Sequence, residues 1–358
     1  MIRLKRVVRA IDRAQQAHTA TAVGFAVVKK YGDDSAGSLA SLLSFSGFVT
    51  LFPLLLLLVT VLGLVLSTHA QLRGDILRSS FAQFPLMGTE LASNVHALHR
   101  DSLIGLLVAV GLLFYGSFAL AGNGIYAMEQ IWNLPGTERL NFLKRTGRSA
   151  EFILLLGAGL CVSTFLSGAG TNTASRPIWA DVGAIAASTV VSCGQFVLAY
   201  RVLTPAVVRT RSLVPGAVVA GVGWTVLQAL GTYLVGHQLK DSAVYGVFAF
   251  VLGLVFWISL VTRLVAYTVE LNVVLSRHLW PRSLVQPPLT AADREVLAAV
   301  AEQNRRRPEQ QVQVYFGPLP ALGEEGAPAG AAASLSGGSP PAFSTADGER
   351  RPRSPTSP

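Results

Sequence analysis

The chain has 358 residues, of which 51% are hydrophobic and only 14% charged, with a mean hydropathy of +0.47 and a formal net charge of +9. Soluble domains carry about 25% charged residues, so this composition excludes an ordinary soluble enzyme and points to an all-α, polytopic membrane protein. The excess of 29 Lys and Arg over 20 Asp and Glu is what the cytoplasmic loops of such a protein require, and no nucleic-acid partner is expected from it.

Residues 1–36 open with a basic arm that includes Arg3, Lys5, Arg6 and Arg9. No short apolar region with a small-residue cleavage site follows, so no cleaved secretory signal is expected. From about Ile11 to Tyr31 the chain is moderately apolar with basic ends, which predicts an interfacial helix leading into the first span.

Crossing about 30 Å of hydrocarbon takes about 20 apolar residues, and six segments between residues 37 and 283 qualify. They are Ser38 to Leu66, Leu103 to Met128, Phe152 to Gly168, Ile178 to Leu203, Val214 to Val235 and Val244 to Leu275. The first is longer than needed, which predicts tilt or a kink at Pro53.

Lys and Arg crowd into alternate connections. Arg139, Lys144, Arg145 and Arg148 follow the second span, Arg201, Arg209 and Arg211 the fourth, and Arg277 and Arg282 the sixth. The richer side is the cytoplasmic one, so six spans with N-in and C-in termini are expected. The outer loop at 68–101 has helical spacing in two stretches and predicts a helical hairpin.

Beyond the bundle, residues 284–316 predict a cytoplasmic helical segment. Thr290 and Asp293 there form a near capping box, with Asp standing where Glu or Gln is usual. Residues 317–358 are rich in Pro, Gly, Ala and Ser, a composition expected to stay disordered.

Polar residues inside apolar segments are the candidates for function, because an ionisable group at the bilayer centre costs at least about 2.5–3.5 kcal/mol on insertion scales. On the sixth span Arg263, Tyr267 and Glu270 fall at spacings of four and three and share one helical face, with Asn272 nearby. Tyr115, Asn123 and Tyr126 mark the second span, and Ser41 and Ser44 the first. These nine are the expected substrate-cavity residues. A structural reading competes, in which Arg263 pairs with Glu270 and the small residues let helices approach.

Gly216, Ala220 and Gly223 read as a small-residue packing face rather than a phosphate loop. His96 and His99 lack the further ligands of a zinc site. Cys161 and Cys193 fall in apolar segments and imply neither a disulfide framework nor a metal site. No catalytic constellation, metal site or cofactor is expected.

Several blocks in order carry a resemblance. Ser38 runs through a small-polar stretch into Leu51-Phe-Pro53-Leu, Tyr200 leads to the Thr204-Pro205 pair, and Leu213-Val-Pro215-Gly216 precedes Trp224. Tyr245-Gly246 precedes Trp257, and Val269-Glu-Leu-Asn272 follows. Over about residues 20–285 this pattern resembles the YihY/BrkB family. It departs at Phe45, near which the family signature usually carries a tyrosine, and at Arg263, which is not a general family feature.

The resemblance implies a six-helix bacterial inner-membrane protein linked to envelope integrity, serum resistance and export of lipid or lipopolysaccharide precursors. It also implies structural roles for Pro53, Pro205, Pro215, Gly216, Trp224, Tyr245, Gly246 and Trp257. An old label of ribonuclease BN on some members finds no acidic or histidine metal cluster here to support it. The expected function is transport or flipping of a lipid or amphiphile, with a scaffolding envelope protein as the alternative. Membrane lipids are the expected partners, with a homo-oligomer or other envelope proteins as further possibilities.

Overall fold

A computed structural model describes residues 12–13, 15–65, 103–169, 178–238 and 246–317. Among the described residues the fold is helical, with no strand. Eight α-helices follow in order: α1 Thr19–Asp33, α2 Ala36–Val65, α3 Leu103–Ile131, α4 Phe142–Ala169, α5 Ile178–Leu203, α6 Val214–Gln238, α7 Gly246–Arg277 and α8 Ala291–Gln303.

Five helices among the described residues are long and apolar enough to cross a membrane: those containing Ala36–Leu54, Val110–Ile131, Val182–Leu203, Thr210–Gly231 and Val251–Arg277. The expected third span falls within α4, a 28-residue helix that is not among those five. α2 runs on through Pro53. The predicted outer-loop hairpin, His96, His99, Tyr245, the first eleven residues and the tail from 318 lie outside the described residues, as does the side chain of Cys161.

Contacts between helices follow a ring. α2 packs on α3, α3 on α4, α4 on α5, α5 on α6, α6 on α7, and α7 returns to α2. Small residues set the close approaches, as expected where lipid supplies no hydrophobic drive between helices. Gly216 and Gly223 face α7, where a Cβ would meet the Thr268 carbonyl oxygen and the Leu264 side chain, and Gly221 faces Cys193 of α5. Ala217 and Ala220 between them are fully buried.

α1 lies outside the ring against α7. Its buried residues Ala22, Ala26, Val27 and Lys30 recur at helical spacing and define its inner face.

The arginines and lysine that crowd one end of the bundle also cap helices. Carbonyls in the last turn of a helix lack intrahelical partners and carry partial negative charge, so a cation there is favourable. Lys30 Nζ donates to Ile131 O at the end of α3 at 2.9 Å, and Arg277 Nη2 donates to Trp132 O at 2.8 Å. At the end of α5, Arg148 Nη1 donates to Val202 O at 3.1 Å and also to Thr204 O. Arg145 Nη2 reaches Gly122 O at 2.5 Å.

α8 is tied back to this end by a second buried network. The capping box forms as expected, with Thr290 Oγ1 accepting from Asp293 N–H at 3.1 Å and Asp293 Oδ2 accepting from Thr290 N–H at 3.2 Å. Asp293 Oδ1 also accepts from Lys29 Nζ and from Arg282 Nε, each at 2.8 Å, and Arg282 Nη2 pairs with Asp33 at 2.7 Å.

Burial alone would raise the Asp293 carboxyl, but hydrogen bonds from Lys29, Ser283 N–H, Arg282 and Thr290 outweigh it and hold the pKa well below the usual carboxylate range. A depressed folded pKa gives stabilisation that is complete above the unfolded value and is lost as pH falls toward the folded one. Docking of α8 should therefore loosen on acidification below the ordinary aspartate pKa. Amide hydrogen exchange in α8, corrected for intrinsic pH dependence, should rise across that range in the native chain. An Asp293→Asn variant should exchange faster at neutral pH and show a flatter response.

The chain divides into two units, residues 1–314 and residues 315–358.

Candidate functional site: a ring-enclosed cavity beside a buried charge cluster

A partly open cavity of about 990 Å³ lies within the ring, and all six of its helices contribute to the wall. α2 and α3 supply an apolar wall that includes Leu39, Leu43, Leu51 and Leu120, and α4 supplies Phe152 and Leu156. Among the described residues no Asp, Glu, Lys, Arg or His lines it.

Water is a poor occupant of apolar space, so hydrocarbon is the filling that the wall chemistry favours.

The cavity approaches a buried polar cluster at the basic end. Ile131, whose carbonyl accepts from Lys30, and Val269, next to Glu270, both line it. Lys30 and Glu270 are fully buried, with Lys30 Nζ 3.2 Å from Glu270 Oε2. The same ammonium pairs with Asp34, whose other oxygen accepts from Asn133 Nδ2 at 2.9 Å. The Lys30–Glu270 contact is an ion pair without hydrogen-bond geometry, and neither Glu270 oxygen has a hydrogen-bond partner among the described residues.

The nine residues expected to line a cavity are placed elsewhere; none of them is in its wall. Glu270 pairs with Lys30 rather than with Arg263, and no described residue forms an ion pair with Arg263. The reason is α1, which brings Lys30 against the inner end of α7 and leaves Arg263 on the exposed outer surface. Tyr267 stacks on Tyr31 of α1 with ring centroids 4.0 Å apart. Burial raises the Tyr31 hydroxyl pKa, Tyr267 adds to this, and the nearby positive charge of Arg263 opposes it.

Asn272 is fully buried and acts across helices. Its Oδ1 accepts from Gly216 N–H at 2.6 Å and its Nδ2 donates to Leu213 O at 3.1 Å. It thereby caps the start of α6 from α7, where Pro215 occupies the first turn that tolerates a missing N–H.

Asn123 donates to Ser46 Oγ at 2.6 Å, joining α3 to α2, and Ser44 shares a hydrogen bond of 2.9 Å with Ser259 of α7. Ser41 donates to its own helix at Gly37 O and is exposed. Tyr115 is 76% exposed, and Tyr126 lies 6.0 Å below the Arg139 guanidinium.

Of the family-motif positions, Trp257 is buried and Trp224 lines the cavity. Thr204 is fully buried beside Pro205, and Gly246 begins α7. The sequence reading missed Lys30, which stood at the basic end of the expected interfacial helix, and Asp34. It also missed Ser188, Ser192 and Gln195 of α5, whose spacings of four and three are the legible signal of a shared face.

Among the described residues no group of three or more His, Cys, Asp or Glu is arranged to hold a metal ion. Searches among curated proteins and among solved structures returned no match. The family model described as Virulence factor BrkB matches residues 27–290, a span that contains the whole helical ring. On that match, together with its apolar membrane-crossing helices, the chain is a multi-pass membrane protein belonging to the BrkB family.

Proposed function

We propose that this protein is a non-enzymatic transporter of the bacterial inner membrane, flippase-like, that accommodates a lipid or another amphiphilic envelope component in its central cavity. The observation that carries this reading is the 990 Å³ cavity, ringed by six helices and lined by no charged side chain among the described residues. Ligand sites for small molecules run about 300–1,000 Å³ and are mostly apolar, so the space suits one or more hydrocarbon chains.

In this reading α4 is the sixth span and the basic end faces the cytoplasm. The clustering of Lys30, Arg145, Arg148, Arg201 and Arg277 at helix termini there supports that orientation. Arg263 and Tyr267, outside the ring, meet the headgroups of surrounding lipids, the arginine stem lying along apolar surface with its charge toward the interface.

Filling the cavity tests the proposal. A Cβ added at Gly157 meets nothing within 4 Å, and the residue lines the cavity, so Gly157→Phe adds volume where the fold tolerates it. In proteoliposomes carrying a fluorescent lipid with an uncharged sugar headgroup, the native chain should move label between leaflets. Gly157→Phe should slow that movement about tenfold or more, the factor that 1.4 kcal/mol of lost binding gives. No movement by the native chain, or equal rates for the two, would favour the scaffolding alternative.

A further inference from the structure

The cavity wall is not uniform. Ser188, Ser192 and Gln195 share one face of α5 and line the cavity, as does Trp224 of the neighbouring α6. In the ring order α5 stands across from α2, which contributes Leu39, Leu43, Gly47, Leu51 and Leu54, and whose one hydroxyl in the wall, Thr50, donates to Ser46 O of its own helix at 2.7 Å. The α5 side is therefore the richer in hydrogen-bonding groups and the α2 side is mostly apolar.

The polar side is incompletely satisfied. Ser188 and Ser192 donate within their own helix, to Ile185 O at 2.8 Å and Ser188 O at 2.9 Å, which leaves oxygen lone pairs free to accept. The Gln195 carboxamide and the Trp224 indole N–H have no hydrogen-bond partner among the described residues. Gln195 reaches across to α4, where a Cβ on Gly159 would stand 2.1 Å from its Nε2. A carboxamide and an indole turned toward apolar space lose hydrogen bonds unless a ligand restores them. A charged group there would meet no counter-charge.

We infer that the cavity is a binding site for an uncharged, hydrogen-bonding amphiphile, such as an alcohol, amide or ester on a hydrocarbon chain, held through Gln195 and Trp224. This rests on the proposed transport reading and narrows its substrate class. The chain lies against the leucines of α2 while the neutral polar group faces α5 and α6. An anionic phosphate group is excluded from the wall.

The test uses the full chain in lipid nanodiscs, with a long-chain diazirine alcohol as photoprobe. Dodecane, dodecanol and dodecyl phosphate compete at equal membrane concentration. Dodecanol should displace the probe about 100-fold more effectively than dodecyl phosphate, the ratio set by placing an unpaired charge in apolar surroundings. Gln195→Leu should weaken dodecanol about tenfold and leave dodecane unchanged, as loss of one hydrogen bond does. Trp224→Phe, which keeps an aromatic ring and removes the indole N–H, should act in the same direction.

Equal competition by the phosphate, or unaltered dodecanol binding in both variants, would overturn the inference while leaving a hydrocarbon-binding cavity intact. Failure of all three competitors would instead overturn the transport reading on which the inference rests.

Discussion

Lys30→Met should be the most damaging single substitution in the bundle, lowering stability by about 3–5 kcal/mol, the usual cost of removing one member of a buried ion pair. The ammonium serves three acceptors on three segments: Asp34, Glu270 of α7 and the Ile131 carbonyl that ends α3. Methionine keeps much of the volume and removes every one of these contacts. Two carboxylates then remain buried with no cation between them.

The charge account can be separated from simple packing loss. Glu270→Gln placed on the Lys30→Met background removes one of the two orphaned charges and should recover part of the loss. Thermal unfolding of the three variants in one detergent measures this directly. If the double variant is as unstable as the sum of its parts, the pair contributes no coupling and the electrostatic account fails.

Gly216→Ala should be the second most damaging. A Cβ there would lie 2.0 Å from the Thr268 carbonyl oxygen and 2.6 Å from Asn272 Nδ2. Neither neighbour can retreat cheaply, because one is helix backbone and the other caps α6. The helices must separate, which typically costs 1–3 kcal/mol for overpacking, and the two hydrogen bonds of Asn272 weaken, at about 0.5–1.5 kcal/mol each.

The comparison is Gly147→Ala in α4, where a Cβ meets nothing within 4 Å. That change should be neutral or stabilise by about 0.5–1 kcal/mol, the ordinary gain from replacing a helical glycine. Midpoints of denaturant unfolding for the two variants should therefore move in opposite directions. Similar shifts would mean that the α6–α7 contact is looser than its geometry implies.

The helices were legible in the sequence because crossing a membrane demands long apolar runs, and the described helices fall on the expected segments to within a few residues at most ends. The capping box at Thr290 and the packing glycines of α6 were legible too, since each rests on a local rule about backbone donors or side-chain size. The partner of Glu270 was not. Spacing along α7 placed Arg263 and Glu270 on one face, and only the fold decides that α1 delivers Lys30 to the nearer of the two.

The lining of this cavity was not legible for a related reason. Tyrosine, arginine and asparagine attract attention in an apolar run, yet their hydrogen-bonding capacity is what buries them at helix contacts or turns them outward, as Asn272 and Tyr115 illustrate. The groups that face the enclosed space are the unremarkable serines and glutamine of α5, set among leucines from the opposite helices.

The central claim is that hydrocarbon occupies the middle of the ring. It is tested most directly by reconstituting the chain with a phospholipid that bears a diazirine in its acyl chain, irradiating, and mapping the adducts by mass spectrometry. The account predicts labelling of cavity residues such as Leu120, Phe152 and Ser188 in addition to outward residues such as Phe45 and Phe114, with the inward labels lost in Gly157→Phe. Labels confined to the outward set in the native chain would contradict it.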